Sequence, residues 1–152
     1  MANATVPFDC RELGPVGGHG FPVPFTVKDT ELIVAGVMIA LDGGMEVLQA
    51  SDTAGLMVLG RAEVAVDNTD DGETLVIRQG IFRYLNSAKK PLTKQDIGNP
   101  CFVEDSITVC QDADHDVAAG LVFDCESIDG CDYVWVDMMV CGIGLSGYRV
   151  GV

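Results

Sequence analysis

From Glu31 onward the chain is a succession of short β-branched or otherwise apolar runs, each stopped by Gly, Asp or Asn after a handful of residues. The runs cover residues 32–41, 46–50, 56–66, 74–85, 101–104, 106–110, 117–124 and 133–140, and none carries a helical repeat over three turns. Eight runs at this spacing predict an all-β fold, an antiparallel barrel or sandwich of about eight short strands. The punctuation agrees with hairpins. "LDGGM" (Asp42, Gly43, Gly44), "NTDDGE" (Asp71, Gly72) and "IDGC" (Asp129, Gly130) put residues tolerant of positive φ between runs.

One exception is expected inside "SAKKPLTKQDIGNPCFV", residues 87–103. Thr93 can cap a single helical turn, Asp96 three residues later completes a capping-box variant, and Gly98 ends it. The chain ends also differ from the body. Four glycines and three prolines fill "GPVGGHGFPVPF", which predicts an extended N-terminal arm over residues 1–30, ahead of a β domain at 31–140 and a glycine-rich tail at 141–152. Phe21, Val23, Phe25 and Val27 alternate along that arm, a pattern suited to lying on a neighbour's surface.

Charge narrows the function classes. Nine Lys and Arg stand against 23 Asp and Glu, 9 − 23 = −14, so nucleic acid and anionic membrane surfaces are expected to be repelled. The longest apolar run, "LIVAGVMIAL", has ten residues, half of the ~20 a helix needs to span a bilayer. No basic segment followed by an apolar one opens the chain, so synthesis in a cytoplasm is expected. The six cysteines form no CxxC pair, which argues against structural zinc. Cys125 and Cys131 bracket the turn "ESIDG" and are either a disulfide or two small side chains that pack as hydrophobes.

Several stretches imitate known chemistry. "CGIGLSG" matches GxGxxG, but only five residues follow Gly147, too few for the helix and the distant acid that a dinucleotide site requires. "DADHD" and "DNTDDG" alternate carboxylates like a calcium loop, yet the twelfth positions are Phe123 and Arg78 instead of Glu. His19 and His115 have no adjacent nucleophile, and Ser146 in "GLSGY" lacks the second glycine of a nucleophile elbow. The expectation is a protein that is not an enzyme and takes no cofactor or metal.

Charge placement is more informative. Arg78, Arg83, Lys89, Lys90 and Lys94 fall within residues 78–94 without an acid, whereas residues 95–148 hold eleven acids and no Lys or Arg. Either the fold keeps these stretches apart, giving one basic surface for an acidic partner, or it interleaves them.

Five ordered signals carry a resemblance. Val58 to Ala62 with Asp67 and Asn68, Gly80 to Asn86, Thr93 to Gly98, Val103 to Val109, and Ala119 to Val122 with Val134 to Val136 follow a V-x-G-x-A…DN, G-x-F-x-x-x-N, T-x-x-D-I-G, V-x-D-x-x-T-V, A-G-x-V…V-W-V series. From Val27 to Met138 the chain thereby resembles the capsid cement, or head decoration, proteins of tailed bacteriophages, in particular the structural cement proteins of Mu-like and related myophages. The arm, the tail and the cysteines depart from that pattern. The resemblance implies a virion protein made in the bacterial host cytoplasm. It would bind the exterior of the expanded head as a homotrimer and clamp neighbouring major capsid proteins of the HK97-type fold against DNA pressure. Multivalent contact would supply the affinity. On that reading Arg78, Arg83, Lys89, Lys90 and Lys94 are candidate capsid contacts, Phe21, Val23, Phe25 and Val27 candidate arm contacts, and the acidic remainder faces solvent. The competing expectation is an extracellular β-sandwich that binds carbohydrate or calcium through Tyr133, Trp135 and the acidic turns. A trimeric β-fold hydrolase is the third, and it lacks a clustered acid and nucleophile.

Overall fold

The computed structural model of the 152-residue chain describes residues 4–8, 19–20, 24–128 and 130–139. The fold is all-β, as expected. Its strands are β1 (His19–Gly20), β2 (Phe25–Thr26), β3 (Leu32–Ile33), β4 (Met38–Leu41), β5 (Val47–Gln49), β6 (Met57–Ala62) and β7 (Val66–Asp67), followed by β8 (Thr74–Leu75), β9 (Ile77–Gln79), β10 (Ile81–Asn86), β11 (Pro100–Asp105), β12 (Thr108–Cys110), β13 (Ala118–Ile128) and β14 (Cys131–Asp137). The single-turn helix is a 3₁₀ turn at Lys94–Asp96, and Thr93 and Asp96 form the reciprocal capping box.

Two units share these strands. A five-stranded sheet runs β1-β9-β6-β4-β5, and a closed barrel runs β10-β12-β11-β13-β14. Small pairs β2-β8 and β3-β7 flank the first unit. The barrel is not wholly antiparallel. It closes through a parallel pairing of Leu85 with Thr108 and Asn86 with Val109.

The two units repeat one hydrogen-bond plan. A hairpin pairs Leu41 with Val47 in the first and Val103 with Val109 in the second, where a further pair, Asp105 with Thr108, follows a register shift. The first hairpin strand then pairs with a strand carrying one extra residue. Ile39 faces Gly60 and Ala40 faces Val58, leaving Leu59 over; Cys101 faces Gly120 and Phe102 faces Ala118, leaving Ala119 over. Such a bulge bends the strand and tightens its twist. In both units the next residue is a glycine against a backbone carbonyl. A Cβ on Gly60 would lie 2.3 Å from the Arg78 oxygen, and one on Gly120 would lie 2.5 Å from that of Asp137. The parallel closure also recurs, since Lys28 N–H donates to Val47 O and Ser87 N–H to Val109 O, each at 2.9 Å.

Burial explains which runs the sequence made continuous. Met38 and Ala40 join one core with Phe82, Tyr84, Val103, Val134 and Val136, while Ile39 joins a second with Val27, Ile33, Leu59 and Ile77. With cores on both faces β4 needs no polar alternation. The long runs are nonetheless broken. Residues 32–41 divide into β3 and β4 about a turn at Gly36 (φ 92), and 74–85 divide into β8, β9 and β10. At 42–46 the left-handed residue is Met45 (φ 65), not either glycine, because Asp42 Oδ1 accepts the N–H groups of Gly44 and Glu46 and fixes the loop. Asp71 and Gly72 take positive φ as the sequence suggested.

The described parts of the expected arm belong to the body. Phe25 pairs with Leu75 in β2-β8 and is half-buried, and Val27 is fully buried in the second core and so is not available to a neighbour. Phe8 stacks on Tyr84 at 6.0 Å, and Ala4 N–H donates to Gln49. Phe21 and Val23 lie outside the described residues. The disulfide alternative fails on register. Cys131 pairs with Ile128 and Cys125 with Val134, three ladder steps or roughly 10 Å apart, beyond the reach of a disulfide. Cys125 is free, as are the buried Cys101 and Cys110.

Candidate functional site

The five cations of residues 78–94 do not form one basic surface. Arg78 Nε lies 3.7 Å from Glu63, Lys90 Nζ 2.8 Å from Asp112 and Lys94 Nζ 2.8 Å from Asp124. Arg83 Nη1 is 3.4 Å from Glu126. Lys89 is exposed and is the one member without a carboxylate partner among the described residues. The interleaved arrangement is therefore the one the fold adopts: the β11–β12 and β13–β14 hairpins carry the late acids back onto the early bases.

These pairs adjust their own ionisation. The hydrogen bond to Asp124 raises the Lys94 ammonium above its ordinary value, and the same bond, with the Cys125 N–H, holds the Asp124 carboxyl below the usual range. Lys90 is raised by Asp112 in the same way. Lys89 and Lys90 border an open pocket of about 280 Å³ with Asp52, Glu104, Cys110 and Asp112. Burial pushes the Cys110 thiol up to about 12, and Glu104 adds to the shift, so no thiolate is on offer there at neutral pH.

Neither acidic turn gathers ligands. Asp52 accepts the backbone N–H groups of Asp114 and His115 at 3.0 and 2.9 Å, and Asp116 accepts that of Ala113, which uses the carboxylates to fasten the loop. Among the described residues no three His, Cys, Asp or Glu side chains converge as metal ligands.

A different cluster stands out on the outer face of the barrel. Val134 and Val136 are fully buried, which turns Tyr133 and Trp135 outward and decides which face of "YVWVDM" is core. The β10–β14 ladder places Arg83 opposite Trp135 and Leu85 opposite Tyr133, and β13 brings Asp124 and Glu126 beside the same two aromatics. The guanidinium carbon of Arg83 lies 4.2 Å from the Tyr133 ring centre and 6.0 Å from that of Trp135. Arg83 is only 8% exposed, yet its Nε has no hydrogen-bond partner among the described residues. The backbones of Gly98 and Asn99 bond to Val122, and Ile97 and Phe123, next to these residues in the chain, are exposed. The arginine covers ring faces on which a sugar would stack, so this geometry does not favour the carbohydrate reading.

Sequence reasoning had Arg83 in its list for its charge alone. What singles it out is the pairing with Tyr133 and Trp135, fifty residues away, for which alternation within "YVWVDM" was the only local signal. Comparisons with family models, with curated proteins and with solved structures return no match for this chain.

Proposed function

We propose that this protein is a structural, non-enzymatic cement protein of a tailed-phage head, binding the outer surface of the expanded shell and bridging adjacent major capsid subunits, most simply as a homotrimer. One observation carries the reading. The segments that resemble the cement family are scattered in sequence, and four of the five fall on the strands, hairpin and turn that build one closed barrel: Gly80–Asn86 on β10, Thr93–Gly98 on the capped turn, Val103–Val109 on the β11–β12 hairpin, and Ala119–Val122 with Val134–Val136 on β13 and β14. The fifth, Val58–Ala62, is the bulged strand β6 of the first unit.

The physical basis of such a role is rigidity combined with repeated modest contacts. A barrel without open edges resists adventitious strand pairing, and each subunit contact after the first adds to avidity. With Arg78, Lys90 and Lys94 paired internally, adhesion would rest on shape and local contacts more than on long-range attraction to a basic face. Net charge of −14 would discourage decorated virions from sticking together.

Co-sedimentation with expanded, undecorated heads tests the proposal. The protein is expected in the pellet, saturating at a fixed stoichiometry. Protein that stays in the supernatant at micromolar concentration overturns the reading.

A further inference from the structure

Among the described residues the buried charge left with an unsatisfied donor is Arg83. A guanidinium has five N–H donors in a fixed fork, and in this chain one of them meets an acceptor, Glu126 Oε1, at 3.4 Å. That distance is long for a charge-assisted bond, which normally closes to about 2.7–2.9 Å. The rest of the fork has no acceptor among the described residues, Nε is wholly enclosed, and the guanidinium lies over Tyr133 with Trp135 further off. Arg61 shows what this chain does when an arginine serves the fold alone. It too is 8% exposed and sits over a ring, 4.0 Å from the centre of Phe82, but it grips Glu63 through both carboxylate oxygens at 2.7 and 2.9 Å.

We infer that Arg83, with Tyr133 and Trp135, anchors a protein-docking surface that receives a partner's carboxylate set among apolar side chains. The guanidinium supplies the charge complementarity, its rotamer is fixed before binding, and the entropy of ordering it is already spent in the free protein. Arginine, tyrosine and tryptophan are the residue types that dominate interface energetics when clustered. Ile128, 40% exposed, lies two residues beyond Glu126 on β13 and so on the same face as Tyr133, where it would help exclude water around the bond. Asp124 does not oppose the incoming acid, since Lys94 already holds it. Glu126 is the resident competitor, and its 3.4 Å contact is the one to be displaced. A polyanion such as nucleic acid is excluded by the net charge, whereas a single carboxylate on an apolar surface is not.

This inference stands on the geometry of Arg83 and does not depend on the shell being the partner. Trp135 is the only tryptophan in the chain and therefore reports on the surface directly. The 152-residue protein is titrated with N-acetyl-phenylalanyl-aspartyl amide and with its asparaginyl counterpart, at constant ionic strength, following tryptophan emission. The expected result is a saturable change with the acidic probe only. Arg83→Met should weaken it about tenfold or more, Arg78→Met should leave it unchanged, and Glu126→Gln should tighten it about threefold by removing the competitor. Equal responses to both probes, wild-type binding by Arg83→Met, or weaker binding by Glu126→Gln would each overturn it. Should Arg83→Met fail to fold, the probe pair and Glu126→Gln decide alone.

Discussion

The first unit and the barrel follow the same ladder and put it to different ends. Val47 and Val109 occupy equivalent hairpin positions, Leu59 and Ala119 equivalent bulges, Gly60 and Gly120 equivalent close approaches. Elsewhere the side chains diverge: Ile39 corresponds to Cys101 and Ala40 to Phe102. Each unit also holds one buried arginine over an aromatic ring, and here they part company. Arg61 is saturated by Glu63, and Arg83 is not. A repeated backbone plan fixes where strands and bulges fall, and leaves each outward face free to be neutral scaffold or sticky surface.

The largest effect tests the shared plan. Gly60→Ala and Gly120→Ala each drive a methyl into a backbone carbonyl that cannot rotate away, and each should cost about 3 kcal/mol in urea denaturation. A neutral substitution at either site would break the equivalence of the two bulges. Next comes the pair of arginines. Arg61→Met should destabilise by about 2 kcal/mol, because a buried two-pronged charge-assisted bond is lost. Arg83→Met should stay within about 1 kcal/mol of wild type and can be stabilising, since an under-satisfied buried ion is replaced by an apolar chain of similar length. Equal losses would erase the distinction drawn between them.

The smallest effect concerns the surface pair beside Arg83. Asp124 has its carboxyl depressed by Lys94, so its contribution is present above the ordinary carboxylate pKa of about 3.9 and is lost as pH falls through the lower folded-state value. Thermal melts of wild type and Asp124→Asn should therefore differ slightly at neutral pH and converge in acid. Exposure of both partners keeps the gap small. A gap that widened in acid would contradict the assignment.

Much of the body could be read along the chain. All eight apolar runs contain strands, because burial on a pleated surface selects β-branched and aromatic residues wherever the strand lies. The Thr93–Asp96 capping box was legible because both halves of the bond are three residues apart. The placement of Phe25 and Val27 was not. Glycine and proline around them denied regular structure, but nothing local shows that Leu75 and the second core would take them in. Nor could the sequence choose between a separate and an interleaved basic segment: the counter-charges Asp112, Asp124 and Glu126 lie tens of residues downstream. The duplicated ladder left almost no trace, since a backbone hydrogen bond accepts nearly any side chain outside its bulges and close approaches.

Sequence by itself determined the all-β class, the turn positions and the net charge of −14, because these depend on local pattern and composition. Only the tertiary structure decided that the charges interleave, that the first unit echoes the barrel, and that Arg83 meets Tyr133 and Trp135 with most of its donors unused. Those outcomes are set by which strand pairs with which and in what register. A one-residue slip would turn every outward side chain in, and that choice is made by the whole core at once.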